Sequence, residues 1–143
     1  TPRGRLPLPA AGVVVRAAGA GGRSGPARAG GEREMAMLAV AADEDGAFEW
    51  HAHEAVGRVA GLTGADLVAI RDGLPPAGAN DVERTVVDVT FHLLRDGDLD
   101  DQAFQDALSH LHPDGLQALM TLGGYYRMLA LQLRVFRVGP PPW

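Results

Sequence analysis

Glu49 and His53 are the pair of residues in this chain whose types and spacing best suit proton transfer. They lie four positions apart in a segment with helical periodicity, so both side chains should project from the same side of a helix. A carboxylate beside an imidazole can share a proton, and partial burial moves both pKa values toward the range useful for general acid and base catalysis. Glu/His pairs at this spacing are also common as structural contacts, so the spacing alone leaves catalysis and packing both open.

His51 and His53 do not form a metal-binding pair if this segment is helical. Residues two positions apart diverge by about 200° around a helix axis, whereas the ligands of a metal must converge on one point. The chain contains no cysteine, which removes thiolate ligands as well. We therefore expect no metal site, and proton transfer between a glutamate and a histidine needs no organic cofactor.

About six helices are predicted to position these residues. Capping signals begin several of them, and glycine or proline ends them. The sequence has no alternating strand pattern and no Asn-Gly hairpin, so the predicted class is all-α. The predicted helices span 35–42, 47–60, 66–71 and 81–95, with a fifth that begins after Asp100 and a sixth from 113 to about 137.

The helix predicted over 47–60 has an apolar arc that we expect to face the core. Glu49 and His53 lie at the edge of this arc and should be half-buried neighbours. Trp50 points away from the arc, which favours a contact with another subunit if the protein oligomerises. The arc consists of Phe48, Ala52, Ala55, Val56 and Val59.

Charge is distributed unevenly along the 143 residues. Residues 1–30 contain five Arg and no acidic residue, whereas the other 113 residues contain eight Arg and 18 acidic residues. We expect 1–30 to be a flexible basic segment, because its glycine and proline content disfavours a helix; an arm for an anionic surface and a truncated or out-of-frame stretch are the other hypotheses. Residues 31–138 should form the helical domain and 139–143 a proline-rich tail.

The composition excludes several classes of function. The acidic body lacks the clustered basic residues that nucleic acid or an anionic membrane surface requires, and no window approaches the roughly 18 consecutive apolar residues of a membrane span. The absence of cysteine excludes disulfides and thiol nucleophiles. We expect a cytoplasmic protein without nucleic-acid or membrane partners, although the missing cysteines leave its redox compartment open.

Four segments of the chain combine into a recognisable pattern. They are REMAMLAVA (33–41), FEWHAHE (48–54), GLT (61–63) and GGYYRML (123–129). The pattern resembles the carboxymuconolactone decarboxylase and alkylhydroperoxidase D-like superfamily, and the last segment resembles a signature of its Glu-Trp-containing branch. The resemblance extends over about residues 32–138. It implies an all-α fold in which a central helical hairpin carries the active site, and assembly into homodimers, trimers or hexamers.

The resemblance also assigns individual positions. In the hydroperoxidase branch a proton relay is formed by a glutamate on the first helix, two cysteines and a histidine, and the matching positions here are Glu34, Gly46, Glu49 and His53. Because the chain has no thiol, the dithiol peroxidase reaction is excluded. The decarboxylase branch instead has a glutamate four residues before the histidine, which Glu49 and His53 match. The resemblance therefore points to a branch without thiols.

What the resemblance implies is a cofactor-independent decarboxylase or isomerase of a small cyclic or unsaturated carboxylic acid. Such reactions deliver a proton to carbon or remove one while an oxyanion is stabilised. His53 is expected to transfer the proton, Glu49 to orient His53 or share its proton, and Glu34 to tune the pair by like-charge repulsion. The competing interpretation is a non-catalytic oligomeric helical protein that uses the pocket, if at all, to bind a ligand.

Tyr126, Arg33 and Arg84 are the candidates for substrate binding. An acidic substrate calls for well-placed arginine side chains, and Arg33 and Arg84 are the two that we nominate. The hydroxyl group of Tyr126 is expected to reach the pocket, with the core or a subunit interface as the alternative locations.

Overall fold

The computed structural model describes residues 31–142, and five helices occupy most of this range. No strand occurs within it, which confirms the all-α class there. The expected flexible segment, 1–30, lies outside the described residues. The helices are α1 (Gly31–Asp43), α2 (Ala47–Val59), α3 (Gly64–Arg71), α4 (Asp81–Asp96) and α5 (Asp101–Val135).

The long helix α5 takes the place of two helices that the sequence predicts separately. His112 has a φ of 58° and a ψ of 169°, which is not helical, and Pro113 follows it. Proline lacks the N–H of an internal helical hydrogen bond and its ring crowds the preceding turn, so α5 is kinked here. The count of about six helices is therefore not confirmed, although the break predicted before Pro113 is present as the kink. Neither α5 nor any other helix of residues 31–142 is long and apolar enough to cross a membrane.

Helix α1 forms the centre of the fold. Residues 35–41 are each at most 1% exposed, and α1 packs against all four other helices. A helix surrounded in this way has no face that meets water, which explains why its sequence is apolar on every side. The helix predicted over 35–42 is present as part of α1.

Side-chain caps determine where three of the helices begin. Thr63 and Asp66 form a capping box at the start of α3, and Asn80 and Glu83 form another at the start of α4. At the start of α5 the side chain of Asp100 accepts a hydrogen bond from a backbone N–H of the first turn. Each of these bonds satisfies a donor that helix geometry leaves unpaired. The capping signals read from the sequence are confirmed at all three positions.

Helix α2 packs with a different face from the one predicted. Val56 and Val59 are 50% and 90% exposed, and Ala52 and Ala55 are exposed as well. Most of the expected core arc thus faces outward, and the prediction of its burial is wrong. The buried residues of α2 are Glu49, Trp50 and Gly57.

Gly57 explains which face of α2 turns inward. A Cβ atom added at Gly57 would lie 2.9 Å from Cδ1 of Leu62 and 3.5 Å from Cδ1 of Leu38. The missing side chain therefore lets α2 approach Leu38 of α1 closely on this side. Apolar periodicity shows that a helix has an apolar face, but it does not show which neighbouring helix that face meets.

Trp50 belongs to the core, so the expectation that it forms a subunit contact is wrong. It is 8% exposed and packs in a cluster that includes Met35 and Leu38 of α1. Its Nε1–H donates to Oε2 of Glu54 at 2.9 Å, and the guanidinium carbon of Arg71 lies 4.2 Å from the ring centroid. Trp50 lies next to Glu49 on the face that Gly57 brings against α1, which is why it is covered within one chain.

Candidate functional site

Glu34 and His53 are joined by a side-chain hydrogen bond between α1 and α2. Oε2 of Glu34 lies 2.9 Å from Nδ1 of His53, although 19 positions separate the two residues in the sequence. Their side chains are 9% and 17% exposed, respectively. A charge-assisted hydrogen bond in such shielded surroundings holds the imidazole ring in one orientation.

The same bond determines which ring nitrogen is available for chemistry. An ionised carboxylate only accepts hydrogen bonds, so Nδ1–H of His53 donates to Glu34. In the neutral imidazole, Nε2 then carries the lone pair and can accept a proton. The orientation of the His53 ring is therefore set by a carboxylate on another helix.

Glu49 is a buried carboxyl group without a hydrogen bond from the described part of the chain. The residue is 2% exposed, and neither Oε1 nor Oε2 has a hydrogen-bond partner. Burial raises the pKa of Glu49 above its ordinary value; the nearby charges of His53 and Arg134 oppose this shift, and that of Glu44 adds to it. Since burial is the largest of these effects, the environment favours the neutral acid.

The two glutamates differ from the roles expected of them. Glu49 was expected to orient His53 or share its proton, and Glu34 to tune the pair by like-charge repulsion. In the structure Glu34 holds the ring by a hydrogen bond, whereas Glu49 makes none and interacts with His53 through its charge. Spacing along a helix shows which side chains share a face, but the packing of two helices decides which carboxylate reaches the ring nitrogen.

Gly46 provides the space beside the Glu49 carboxyl group. A Cβ atom at position 46 would lie 2.8 Å from Oε2 of Glu49. Gly46 precedes the first residue of α2 and gives that helix no side-chain cap. The missing side chain of Gly46 therefore makes room for the Glu49 carboxyl group and does not cap the helix. Positions 46 and 49 match the two cysteines of the resembled hydroperoxidases, and here a glycine and a buried acid occupy them.

Tyr126 and Arg33 lie near the pair formed by Glu34 and His53. The rings of Tyr126 and His53 meet edge to face, with 5.3 Å between their centroids and 83° between their planes. Burial raises the pKa of Tyr126; the nearby guanidinium of Arg33 opposes this shift, and the charges of Glu34 and Tyr125 add to it. Arg33 is exposed. The structure thus brings Tyr126 and Arg33, two of the three candidates for substrate binding, near His53.

Arg84 has a different environment from the other two candidates. Its guanidinium NH2 group donates to the carbonyl oxygen of Ala79 at 3.5 Å, and its charge faces Asp88 one turn further along α4. The guanidinium group of Arg84 therefore interacts with groups at the N-terminal end of α4. Sequence composition alone does not distinguish it from Arg33, because both are arginines near a helix start.

Glu44 and two arginines of α5 form an ion-pair cluster that the sequence analysis missed. Nε of Arg127 lies 2.8 Å from one carboxylate oxygen of Glu44, and an NH2 group of Arg134 lies 2.9 Å from the other. Arg134 also donates to the Glu44 carbonyl oxygen at 3.0 Å. The cluster ties α5 to the turn between α1 and α2, and so helps to place Tyr126 against His53. Its one sequence signal is the spacing of two arginines on a helix face.

An apolar cavity between α4 and α5 does not coincide with the His53 site. Its lining includes Thr90, Leu93, Leu119 and Arg127, but none of Glu34, Glu49, His53 or Tyr126. The charge of Arg127 is already paired with Glu44, so the cavity offers no free group for chemistry. Within residues 31–142, no three His, Asp or Glu side chains are grouped so that they could hold a metal ion.

Comparisons of the chain with protein-family models, with curated proteins and with solved structures find no match. The chemistry of the site therefore has to be inferred from its own residues.

Proposed function

We propose that this protein is a cofactor-independent enzyme of the carboxymuconolactone decarboxylase-like group, a decarboxylase or isomerase of a small cyclic or unsaturated carboxylic acid. The observation that carries the proposal is the 2.9 Å hydrogen bond between Glu34 and His53, with the buried Glu49 on the same helix as His53. Burying two carboxyl groups beside an imidazole is costly for a fold, and such clusters of titratable groups are more common at functional sites than elsewhere. A helical scaffold has no need of them.

The chemistry divides among the residues according to their surroundings. His53, oriented by Glu34, transfers the proton to or from a carbon atom of the substrate. The Tyr126 phenol, whose ring packs edge to face against that of His53, donates its O–H to an oxygen on which negative charge develops. The exposed guanidinium of Arg33 favours a substrate that carries a carboxylate.

A screen for turnover tests the proposed function. The protein is incubated in D2O with a panel of small unsaturated acids and lactone acids, and proton NMR and released CO2 are measured. We expect at least one compound to lose a carboxyl group or to move a double bond, with deuterium incorporated at carbon. If the protein causes no exchange, isomerisation or CO2 release with any member of the panel, the proposed function is wrong.

We also propose that the protein acts as a homo-oligomer, the dimer, trimer or hexamer that the resemblance implies. Two apolar faces in the described range are exposed: the outward arc of α2, and a stripe along the second half of α5. Contiguous apolar surface of this kind is typical of subunit interfaces. The most exposed large residues of the two faces are Val56 and Val59 on α2, and Tyr125, Leu131, Val135 and Phe136 at the end of α5.

Leu131→Asp is expected to dissociate the oligomer. Leu131 is 54% exposed within one chain, so the substitution leaves the fold of the subunit intact while placing a charge in the proposed interface. Sedimentation velocity should show a shift to a smaller species. The matched control is Val68→Asp on α3, which is 60% exposed outside both apolar faces and should keep the wild-type size. A wild-type protein that is monomeric at every concentration would contradict this proposal.

A non-catalytic oligomeric binding or scaffold protein of the same fold is the second candidate function. The exposed faces of α2 and α5 favour it, because they serve assembly whether or not the site is active. The two candidates differ in one measurable respect, since only the enzyme changes the compounds in the turnover screen.

A further inference from the structure

We infer that the cavity between α4 and α5 is a second binding site, which takes a small, neutral, apolar molecule about as large as a one-ring hydrocarbon. Its walls are formed by α4 and the second half of α5, and it shares no residue with the site around His53. This binding site is therefore independent of the proposed function. It requires no turnover, and its ligand is not the substrate of His53.

The volume of the cavity sets the size of its occupant. The cavity measures about 190 Å³ and is partly open to solvent, which gives a ligand a way in. A cavity of about 150 Å³ lined by apolar side chains stays dry and binds benzene, whereas drug-sized ligands occupy pockets of about 300 to 1,000 Å³. On this scale the cavity between α4 and α5 holds a molecule of about six to eight carbon atoms.

Two adjacent glycines of α5 help to create this space. Gly123 and Gly124 lie inside the helix, where glycine is less stable than alanine. A Cβ atom added at either position would meet no atom of residues 31–142 within 4 Å. Neither glycine is therefore needed to let another of these residues come close, in contrast to Gly57, where an added Cβ atom would meet Leu62 at 2.9 Å. The room that they leave is part of the cavity.

The groups that line the cavity select a neutral occupant. Thr90 is buried, and its hydroxyl group donates to the carbonyl oxygen of Val86 at 2.7 Å. Arg127 pairs through Nε with Glu44 at 2.8 Å and donates through NH1 to the carbonyl oxygen of Leu94 at 3.1 Å. The other lining residues are leucine, methionine and glycine. A charged ligand would lose its water without gaining an unpaired charge as partner, whereas an apolar ligand gains by leaving water.

Methyl NMR of the methionines in the full-length protein tests binding, with toluene as the probe. Met120 lines the cavity, whereas Met35 lies in a core cluster that includes no residue of the cavity wall. We expect toluene to shift the Met120 methyl signal in a saturable way and to leave that of Met35 unchanged. No shift of Met120, or a shift of both signals without saturation, would overturn the inference.

Charged compounds with the same ring test the chemical class. Benzoate and benzylammonium should leave the Met120 signal unchanged at the concentrations at which toluene saturates it, because the charge of Arg127 is already paired. A shift of Met120 by benzoate at lower concentrations than by toluene would identify an anion site on Arg127 and overturn the neutral class.

Gly123→Leu is expected to weaken toluene binding by about tenfold or more, because a leucine side chain would fill the space that the ligand needs. Leucine is also more stable than glycine inside a helix, so the melting temperature should not fall. Gly78→Leu is the matched control: Gly78 is exposed, an added Cβ atom there meets nothing within 4 Å, and the residue does not line the cavity. Equal affinity of Gly123→Leu and wild type would overturn the inference.

Leu131→Asp distinguishes a small ligand from a second copy of the chain as the occupant. Helices of one chain form the cavity, so this variant should bind toluene with the affinity of wild type. Binding by the variant but not by wild type would show that a partner copy covers the cavity, and would overturn the inference. None of these measurements depends on His53, so their failure would leave the proposed function standing.

Discussion

Replacing His53 with glutamine is expected to lower turnover of any substrate found by about 10²- to 10⁴-fold, the contribution typical of a general acid or base. Glutamine preserves much of the volume of the ring and can still bond Glu34, but it has no group that accepts and releases a proton near neutral pH. The loss should appear mainly in kcat, because proton transfer occurs in the transition state, whereas Arg33 and Tyr126 are the residues proposed to bind the substrate.

His51→Gln is the matched control for this experiment. His51 lies two residues from His53 on the same helix but is exposed, so its replacement should leave turnover at the wild-type level. Steady-state kinetics of the two variants side by side separate a specific role of His53 from a general effect of losing a histidine on α2. Equal activity of His53→Gln and wild type would contradict the catalytic assignment.

Leu38→Ala should have the largest effect on stability, lowering the free energy of unfolding by about 2–5 kcal/mol. Leu38 is 0% exposed in the central helix α1, and its Cδ1 lies 3.5 Å from the position of an added Cβ at Gly57. Removing its side chain would leave a cavity beneath α2, because helices on all sides prevent α1 from moving to fill it. Urea denaturation measures the change.

Leu74→Ala is the control of the same chemical type. Leu74 is 59% exposed, so the same truncation should change the free energy of unfolding by about 0.5 kcal/mol or less, as is usual for surface substitutions. If the two variants unfolded at the same urea concentration, α1 would not be the centre of the core. An unchanged m-value in both variants would show that the unfolded state is unaffected.

The helix starts and the central helix were predictable because their signals are local. The capping pairs Thr63 with Asp66 and Asn80 with Glu83 act within one turn, and both are present as hydrogen bonds. The uninterrupted apolar run of α1 likewise requires burial on all sides, whatever its neighbours are. The kink at His112 was predictable as a break, since Pro113 lacks an N–H. It was not predictable that the hydrogen-bonded helix would resume without a separate loop.

The orientation of α2 was not predictable, and the errors over its apolar arc and Trp50 have one cause. Periodicity describes a single helix, whereas burial is a property of a pair of helices. Gly57 has no side chain, so a pattern of apolar side chains does not predict that its position is buried. Gly57 nevertheless leaves room for Leu62 and for Leu38 of α1 on this face of α2, where Trp50 is buried, whereas Val59 is exposed.

The chemical groups of the site were determined by the sequence alone. Residue type and spacing made Glu49 and His53 candidates for proton transfer, the resemblance added Glu34, and the absence of cysteine excludes thiol chemistry in any conformation. Only the tertiary structure decided that Glu34 bonds His53, that Glu49 is buried without a hydrogen bond from residues 31–142, and that Arg33 and Tyr126 lie beside them. The physical reason is that residue type determines which protons a group can carry, whereas its partner and burial depend on how helices distant in sequence pack together.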